Sequence, residues 1–484
     1  MVHVFALPRA AMRALGRLRA DASPVLTTAV VACAVGLTGC GCSPDGGGAG
    51  TTSTTPEPTN TACSPAFGAP KWPGACWRRY DATDSPFYLS LVGAYAPKAA
   101  NSATVRQYLE GNMPGQDPKN LITVTVDQKG NAGEPTYYSQ PGDPQFTIHC
   151  LGSEFHTGSN PCPIEGHKLR IPENAQREGG AFACGPPGGP ANTPEREHDH
   201  SKCDADRHMT VVDQGVEHPG KWEYDLWRVQ TVGPTPNDQL FPNGLPKSGG
   251  ILNIAWGGRV DMSGTGLAEP AASAQAPPGD GTAAGWGDLA GRLTAEDLAQ
   301  PEPIKHALFI TIQCVGIDPD SGKAYVWPAR KPARLCSKIN GDDTKAPPTG
   351  SLFRLDMPYG DIEDLDKFGI KPWKKKILHA LADYGAYVGD TGSTAWFTIE
   401  TESSYEYLIP NGYSKGNDPW WSFASQNGWE TYTTKPQDGT IEPGIPQLLG
   451  RLTAFRQDDT VDWNTVWSHL ELLQPCVANR SCIN

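Results

Sequence analysis

DADRHMTVVDQGVEHPGKWEYDLWRVQ, from Asp204 to Gln230, decides how this chain is read. Two strand-like arms, Asp206 to Asp213 and Trp222 to Gln230, flank a linker rich in Gly, Pro and charge, Gln214 to Lys221. That pattern predicts a β-hairpin. Because side chains alternate along a strand, Asp206, His208 and Thr210 share one face of the first arm, and Glu223, Asp225 and Trp227 share one face of the second. A symmetric turn sets Thr210 opposite Asp225 and His208 opposite Trp227. A slip of one residue would send the two polar sets to opposite sides. In register, the face gathers an imidazole, several carboxylates and an indole, a set suited to acid–base chemistry on a sugar. Asp206, His208, Glu223 and Asp225 are therefore the candidate catalytic residues, with Trp227 beside them for stacking.

Upstream, residues 1–39 read as a targeting segment. Arg9, Arg13, Arg17 and Arg19 form a basic region, and Pro24 to Leu37 is an apolar run of 14 residues, short for a membrane-spanning helix. Leu37-Thr38-Gly39-Cys40 follows and resembles the lipobox of bacterial lipoproteins, with Cys40 as the lipid-carrying residue. Residues 40–62 are a Gly-, Ser-, Thr- and Pro-rich tether with almost nothing apolar to bury, expected to stay disordered. Residues 63–484 are expected to form a single large β-rich body. The chain is thus expected to be exported and held by lipid at the cell surface or outer membrane.

The sequence carries 54 Gly and 45 Pro, which favours turns over long helices, and 14 Trp and 15 Tyr. Without residues 1–39 it loses four Arg and one Asp, and its net charge moves from −13 to −16. An acidic chain is a poor partner for nucleic acid, whose phosphates call for Lys and Arg. The expected partners are instead a polysaccharide or glycan and, through the lipid, a membrane. Ten of the thirteen cysteines fall in the body. Pairing neighbours gives loops 63–76, 150–162, 184–203, 314–336 and 476–482, as suits an oxidising compartment. The competing reading is a zinc site built from His198, His200, Cys203 and His208. Without any CxxC it is the weaker reading, and neither a metal nor another cofactor is expected.

Beyond the hairpin, GGILNIAWGGRVDMSGTGL, Gly249 to Leu267, reads as a strand ending at Trp256, then a Gly pair that allows a turn or bulge, then Arg259. Trp256 and Arg259 are candidate binding residues, Trp256 to stack on a sugar and Arg259 to clamp a carboxylate or hydroxyls; a core Trp beside a surface Arg is the bland reading. IKHALFITIQC predicts a buried strand from Ile304 to Cys314 with His306 at its mouth, and YVWPAR places Trp327 and Arg330 near its end. His306, Trp327 and Arg330 complete the candidate binding set. PWKKKILHALADYG, Pro372 to Gly385, is the clearest helix, with Pro372 at its first position and Trp373, Ile377, Leu378, Leu381 and Ala382 in one stripe. The next segment reads as a hairpin turning at Asp390-Thr391-Gly392, with Asp390 most simply a turn residue and a catalytic role its weaker reading. The aromatic group Trp420, Trp421, Phe423 and Trp429 fits either an exposed glycan platform or core.

Several stretches together resemble a family of uncharacterised exported bacterial proteins. They are SPFY near the start of the body, QPGDPQFTIHC, DRHMTVVDQ with WEYDLW, NIAWGGRVDMSGTGL, TAAGWGDLAGRLTAEDL, IKHALFITIQC, YVWPAR and ILHALADYGAYVGDTG. Their order and spacing match over roughly residues 85 to 395. The resemblance implies an exported, β-rich body and brings no assigned reaction. The family pattern has Gly where Arg207 stands, so the turn before His208 is expected to differ here.

The expected fold is mainly β: a sandwich or jelly-roll-like body with few helices, stapled by disulfides. The expected function is a surface-tethered polysaccharide hydrolase using paired carboxylates. A lyase acting on a uronate polymer is the alternative within the same cleft, with Arg259 neutralising the carboxylate and His208 or a Tyr taking the proton. A glycan-binding lipoprotein that cuts nothing is the alternative from another class, and a structural surface protein a third. No nucleotide-binding loop, GxSxG or HExxH occurs to support other enzyme classes.

Overall fold

The computed structural model describes residues 80, 84–110, 123–127, 134–139, 142–151, 162–172, 175, 177–178, 206–213, 222–230, 245, 247–268, 282–392, 397–402, 419–433, 450–454 and 459–482. The segments read as signal peptide and tether, with Cys40, lie outside these residues, as do the cysteine pairs 63–76 and 184–203. Fifteen strands are described. In chain order β1 is Thr123–Asp127, β2 Thr136–Tyr138, β3 Gln145–Cys150, β4 Lys168–Arg170 and β5 Met209–Asp213. Then come β6 Trp222–Trp227, β7 Gly250–Ile254, β8 Trp256–Asp261, β9 Leu308–Ile312 and β10 Leu352–Leu355. The last five are β11 Ala386–Thr391, β12 Thr398–Ile399, β13 Glu430–Thr433, β14 Gly450–Ala454 and β15 Leu470–Leu472. The helices used below are α1 Ala295–Ala299, α2 Pro372–Asp383 and α3 Pro419–Asn427.

The hairpin forms in the predicted register. Strands β5 and β6 pair antiparallel with Thr210 opposite Asp225 and Val212 opposite Glu223. The β-branched run of β5 and the strict alternation of β6 explain why. Trp222, Tyr224 and Leu226 turn with Met209 and Val211 into one apolar cluster that also holds Ile164, Ile254 and Trp256. The opposite face carries Thr210, Val212, Glu223 and Asp225. Val212 there joins a second cluster around Tyr80, Val260 and Trp286. All five residues of β5 are buried, so the hairpin is covered on both faces. Just before it, Arg207 has φ 65°, the left-handed region that favours glycine. The turn leading to His208 is thus a position where glycine is easiest and this chain places arginine.

Strands β2, β5, β6 and β8 form a four-stranded sheet in that order, and β4, β3 and β7 a three-stranded one. The largest sheet has eight strands, ordered β13-β14-β1-β12-β9-β11-β10-β15. The chain is strand-rich and disulfide-stapled, as expected, but strand (27%) only narrowly exceeds helix (23%). A jelly roll is an antiparallel architecture. Each described sheet instead contains a parallel pair: β2–β5, β3–β7, and in the large sheet β1–β12 and β9–β11. The described sheets are therefore mixed. The isolated parallel bridge between Glu134 and Glu402 ties the start of β2 to the end of β12, and so joins the four-stranded sheet to the eight-stranded one.

Helix α2 confirms the predicted stripe, with Trp373, Ile377, Leu378, Leu381 and Ala382 all buried in the main core. It stops before Gly385 (φ 77°), where any Cβ would strike the Phe353 carbonyl and the Leu352 side chain. Of the aromatic group, Trp420 and Phe423 on α3 and Trp429 just beyond it resolve as core: they are buried and pack against one another and Trp373, while the Trp421 side chain lies outside the described residues. Each such burial is worth about 1.5–3 kcal/mol. The disulfides Cys150–Cys162, Cys314–Cys336 and Cys476–Cys482 match neighbour pairing. Among the described residues, no helix is long and apolar enough to cross a membrane.

Asp390 departs from its predicted place in a turn. It lies inside β11, which runs parallel to β9 with a register shift between Val388 and Asp390. Gly389 is the extra residue of that bulge. A Cβ there would come within 2.7 Å of the Trp286 ring and press on Phe309 as well. Bulges re-aim side chains, and this one sets Asp390 opposite Thr311 at the carboxyl ends of β9 and β11.

Candidate active site

Where the four-stranded sheet meets the carboxyl ends of β9 and β11, carboxyl groups from distant parts of the chain converge. They fall into two layers. A buried floor holds Glu178, Glu223, Asp225, Asp288 and Arg292, with Thr210 and Tyr80. A half-buried rim holds Glu134, Asp206, His208, Asp390 and Glu400. The floor begins on the hairpin. Glu223 accepts hydrogen bonds from the Tyr80 hydroxyl at 2.6 Å and the Leu289 amide at 2.8 Å. Thr210 donates to Asp288 at 2.7 Å, and its oxygen lies 3.4 Å from Asp225. The Asp288 amide points to Asp225, also at 3.4 Å.

These contacts require the segment from Trp286 to Arg292 to lie close against β6. Gly287 permits it, since a Cβ at that position would fall 2.8 Å from a Glu223 carboxylate oxygen. One turn on, Arg292 donates to Glu134 at 2.5 Å and stands 3.8 Å from Asp288. Glu134 also approaches His208 Nδ1 at 3.5 Å. His208 Nδ1 is held more closely by Glu178, at 2.9 Å, and the His208 amide donates to the same carboxylate at 3.2 Å. At the far side, Thr311 donates to Glu400, whose amide bonds the Phe309 carbonyl.

Burial dominates the electrostatics. Loss of water pushes Glu223 and Asp288 up to about 7, with nearby acids adding to the Asp288 shift. It also drives Asp225 well above the usual carboxylate range, reinforced by Asp288 and Glu223. Burial raises Glu178 as well, against the pull of its bond to His208. For His208 burial acts downward, but Glu134, Glu178 and Asp206 together outweigh it and hold the imidazolium well above its normal range. On the rim, burial lifts Asp390 to about 6 and Glu400 to about 8, with the Glu134 charge adding to the latter.

The four candidate catalytic residues do converge, but on different layers. Asp206 and His208 lie on the rim, while the Glu223 and Asp225 side chains have no exposed surface and sit in the floor. The candidate binding residues do not assemble around them. Trp227 is half-buried, with the Arg228 guanidinium 4.2 Å above its ring. Trp256, opposite it on β8, is buried in the core cluster. Arg259 pairs with Tyr224, which places it on the face away from the carboxylates, and it stacks on Trp222 at 3.9 Å. The sequence expectation failed there because Trp256 is drawn into the core cluster of Trp222 and Tyr224, and Arg259 is held over Trp222 on the face away from the carboxylates. His306 is buried, bonded to the Ala307 carbonyl and 3.7 Å from Asp297, about 16 Å along the strand from Thr311. Trp327 is partly exposed beside cis Pro328, and Arg330 braces the Ala268 carbonyl.

Sequence reasoning missed Tyr80, Glu134, Glu178, Asp288, Arg292 and Glu400. Asp288 and Arg292 had one available signal: they stand four apart in GWGDLAGR, beside a glycine. Among the described residues, no group of three or more His, Cys, Asp or Glu is arranged to hold a metal ion. Of the zinc alternative, His198, His200 and Cys203 lie outside those residues. Comparison with protein-family models, curated proteins and solved structures returned no match.

Proposed function

We propose that this protein is an exported carbohydrate-active enzyme, a glycoside hydrolase acting on a polysaccharide, with the rim as its reacting surface. One observation carries the reading: Thr311 pairs with Asp390 across β9 and β11 and donates to Glu400, so two half-buried rim carboxyls flank one residue, and burial raises them unequally, Asp390 to about 6 and Glu400 to about 8. At neutral pH that leaves an ionised carboxylate beside a protonated carboxylic acid, the division of labour glycoside hydrolysis needs. Glu400 would protonate the leaving oxygen. Asp390 would activate water or attack the sugar carbon. Asp206 and His208 line the same rim, where the imidazolium offsets part of the negative charge.

The alternatives lose specific support. A uronate lyase needs a cation for the substrate carboxylate, and Arg259 lies on the far face of the sheet. A glycan-binding module needs an exposed aromatic row, and Trp256, Trp420 and Trp429 are buried. Three disulfides favour an oxidising compartment and so fit export, with the lipid at Cys40 as the proposed anchor.

The test is a panel of neutral, amino-sugar and uronate polysaccharides, scored for new reducing ends and for absorbance of unsaturated products, with Glu400→Gln as the partner sample. Reducing ends without absorbance, lost in the variant, support hydrolysis. Unsaturated products would replace it with elimination, and cleavage unchanged in Glu400→Gln would remove the rim assignment.

A further inference from the structure

His208 is bonded through its backbone and through one edge of its ring. Nδ1 lies 2.9 Å from Glu178 Oε2, and the His208 amide donates to the same oxygen at 3.2 Å. The Glu178 amide donates in return to the His208 carbonyl at 2.8 Å. Glu134 comes only within 3.5 Å of Nδ1, and its closer partner is Arg292 at 2.5 Å. Nε2 makes no hydrogen bond among the described residues. The side chain is 16% exposed, so the unbonded edge of the ring is the one a molecule in the cleft can reach.

Glu178 is held where it can do this. Its side chain is buried, and the chain around it is pinned to the hairpin. Arg177 donates to the Val229 carbonyl, and the Val229 amide donates to the Arg207 carbonyl at 3.1 Å. Residues 177–178, the approach to β5 and the exit from β6 are thus tied into one knot, with the left-handed turn at Arg207 inside it. Glu178 Oε2 receives the His208 amide proton, which marks it as an acceptor, and the ring nitrogen beside it is then the donor. A partner that takes the Nδ1 proton fixes both the orientation and the tautomer of an imidazole.

We propose that Glu178 is the positioning residue of the rim: by accepting the Nδ1 proton it locks the His208 ring with Nε2 turned to the cleft, where Nε2–H donates to an oxygen of the bound polysaccharide. The donor role rests on the hydrolase reading; the locking does not. The charged groups facing the ring are Glu178 from the segment ahead of the hairpin, Glu134 from the start of β2 and Asp206 from its own arm, with Asp288 and Asp390 at longer range. Together the first three favour the imidazolium, so the donor carries charge at neutral pH. Charged donors bond about twice as strongly as neutral ones. Glu178 itself touches no substrate.

The first measurement needs no substrate. Nitrogen-15 NMR of histidine-labelled protein, with the His208 signals assigned by their absence in His208→Gln, reads which ring nitrogen holds the proton. Titrated to alkaline pH, wild type should lose the Nε2 proton and keep the one on Nδ1. Glu178→Leu should reverse that choice and move the His208 titration downward, because a group that raises it is gone. Glu178→Gln still offers an oxygen to both His208 donors and should keep the wild-type tautomer. A wild-type ring that keeps its proton on Nε2 would overturn the proposal, and that result requires no variant of Glu178 to fold. The second measurement is kinetic, on whichever polysaccharide of the panel is cut. Glu178→Leu should raise KM about tenfold with kcat little changed, and Glu178→Gln should restore most of the loss. An equal loss in both variants, or none in either, would refute the donor role. No cleavage across the panel would remove the hydrolase reading and the donor role with it, while the tautomer still decides the locking.

Discussion

Thr210 on β5 donates its only hydroxyl proton to Asp288, 78 residues later, at 2.7 Å. The bond ties the hairpin to the segment that leads into α1. Thr210→Val keeps the shape and removes the donor, leaving a buried acceptor unmet, which costs about 1–3 kcal/mol. Denaturant unfolding should show a lower midpoint with an unchanged slope. An unchanged midpoint would mean the bond contributes nothing.

His208 gives a pH dependence with a definite sign. Its native position is raised well above 6.5 by Glu134, Glu178 and Asp206 in spite of burial. The imidazolium therefore stabilises fully below its unfolded value, and the contribution disappears as pH rises through the native one. Asp225 and Asp288 lose their contributions in the same direction, so wild type should weaken on the alkaline side. Tm followed from pH 6 upward should fall less steeply in His208→Gln, which keeps only the part due to the raised carboxyls.

On the hydrolase reading, activity against pH is bell-shaped. The rising limb follows ionisation of Asp390 at about 6 and the falling limb loss of the Glu400 proton at about 8. Asp390→Asn should abolish turnover outright, and a profile flat across both limbs would dissociate the rim pair from the chemistry.

Gly389 holds the bulge that aims Asp390. Gly389→Ala presses a methyl group into the Trp286 and Phe309 rings, and overpacking of that kind costs about 1–3 kcal/mol. Activity should fall more than stability, because flattening the bulge turns Asp390 off the rim. Paired Tm and rate measurements check the disproportion.

Lys374 and Asp459 form an ion pair whose side chains are almost wholly enclosed, at 2.8 Å. Lys374→Met strands the carboxylate and should cost about 3–5 kcal/mol, whereas the double change Lys374→Met/Asp459→Leu should recover most of it. A double-mutant cycle on unfolding free energies provides the check.

What the sequence disclosed follows the range of its signals. The hairpin register was legible because alternation and turn composition act over a few residues, and Thr210 does face Asp225. The α2 stripe was legible for the same reason. Layering was not: nothing local says that Glu223 and Asp225 are roofed by the segment containing Gly287, or that Glu134 and Glu400 are brought above them. Asp390 read as a turn residue because Asp-Thr-Gly is turn chemistry, and only the pairing of β11 with β9 overrides it. Trp256 and Arg259 were assigned to the carboxylate cleft, whereas the first joins the core cluster and the second stacks on Trp222 away from it.

The Glu134–Glu402 bridge has a consequence for how such a site can be inherited. Its acidic residues come from positions as far apart as 134 and 400, and the two sheets that present them meet through that bridge. No contiguous module carries the constellation, so recombination that exchanges part of the chain would dismantle it. The ensemble must descend whole, and a shortened copy that keeps only the hairpin would retain its most recognisable peptide without the chemistry.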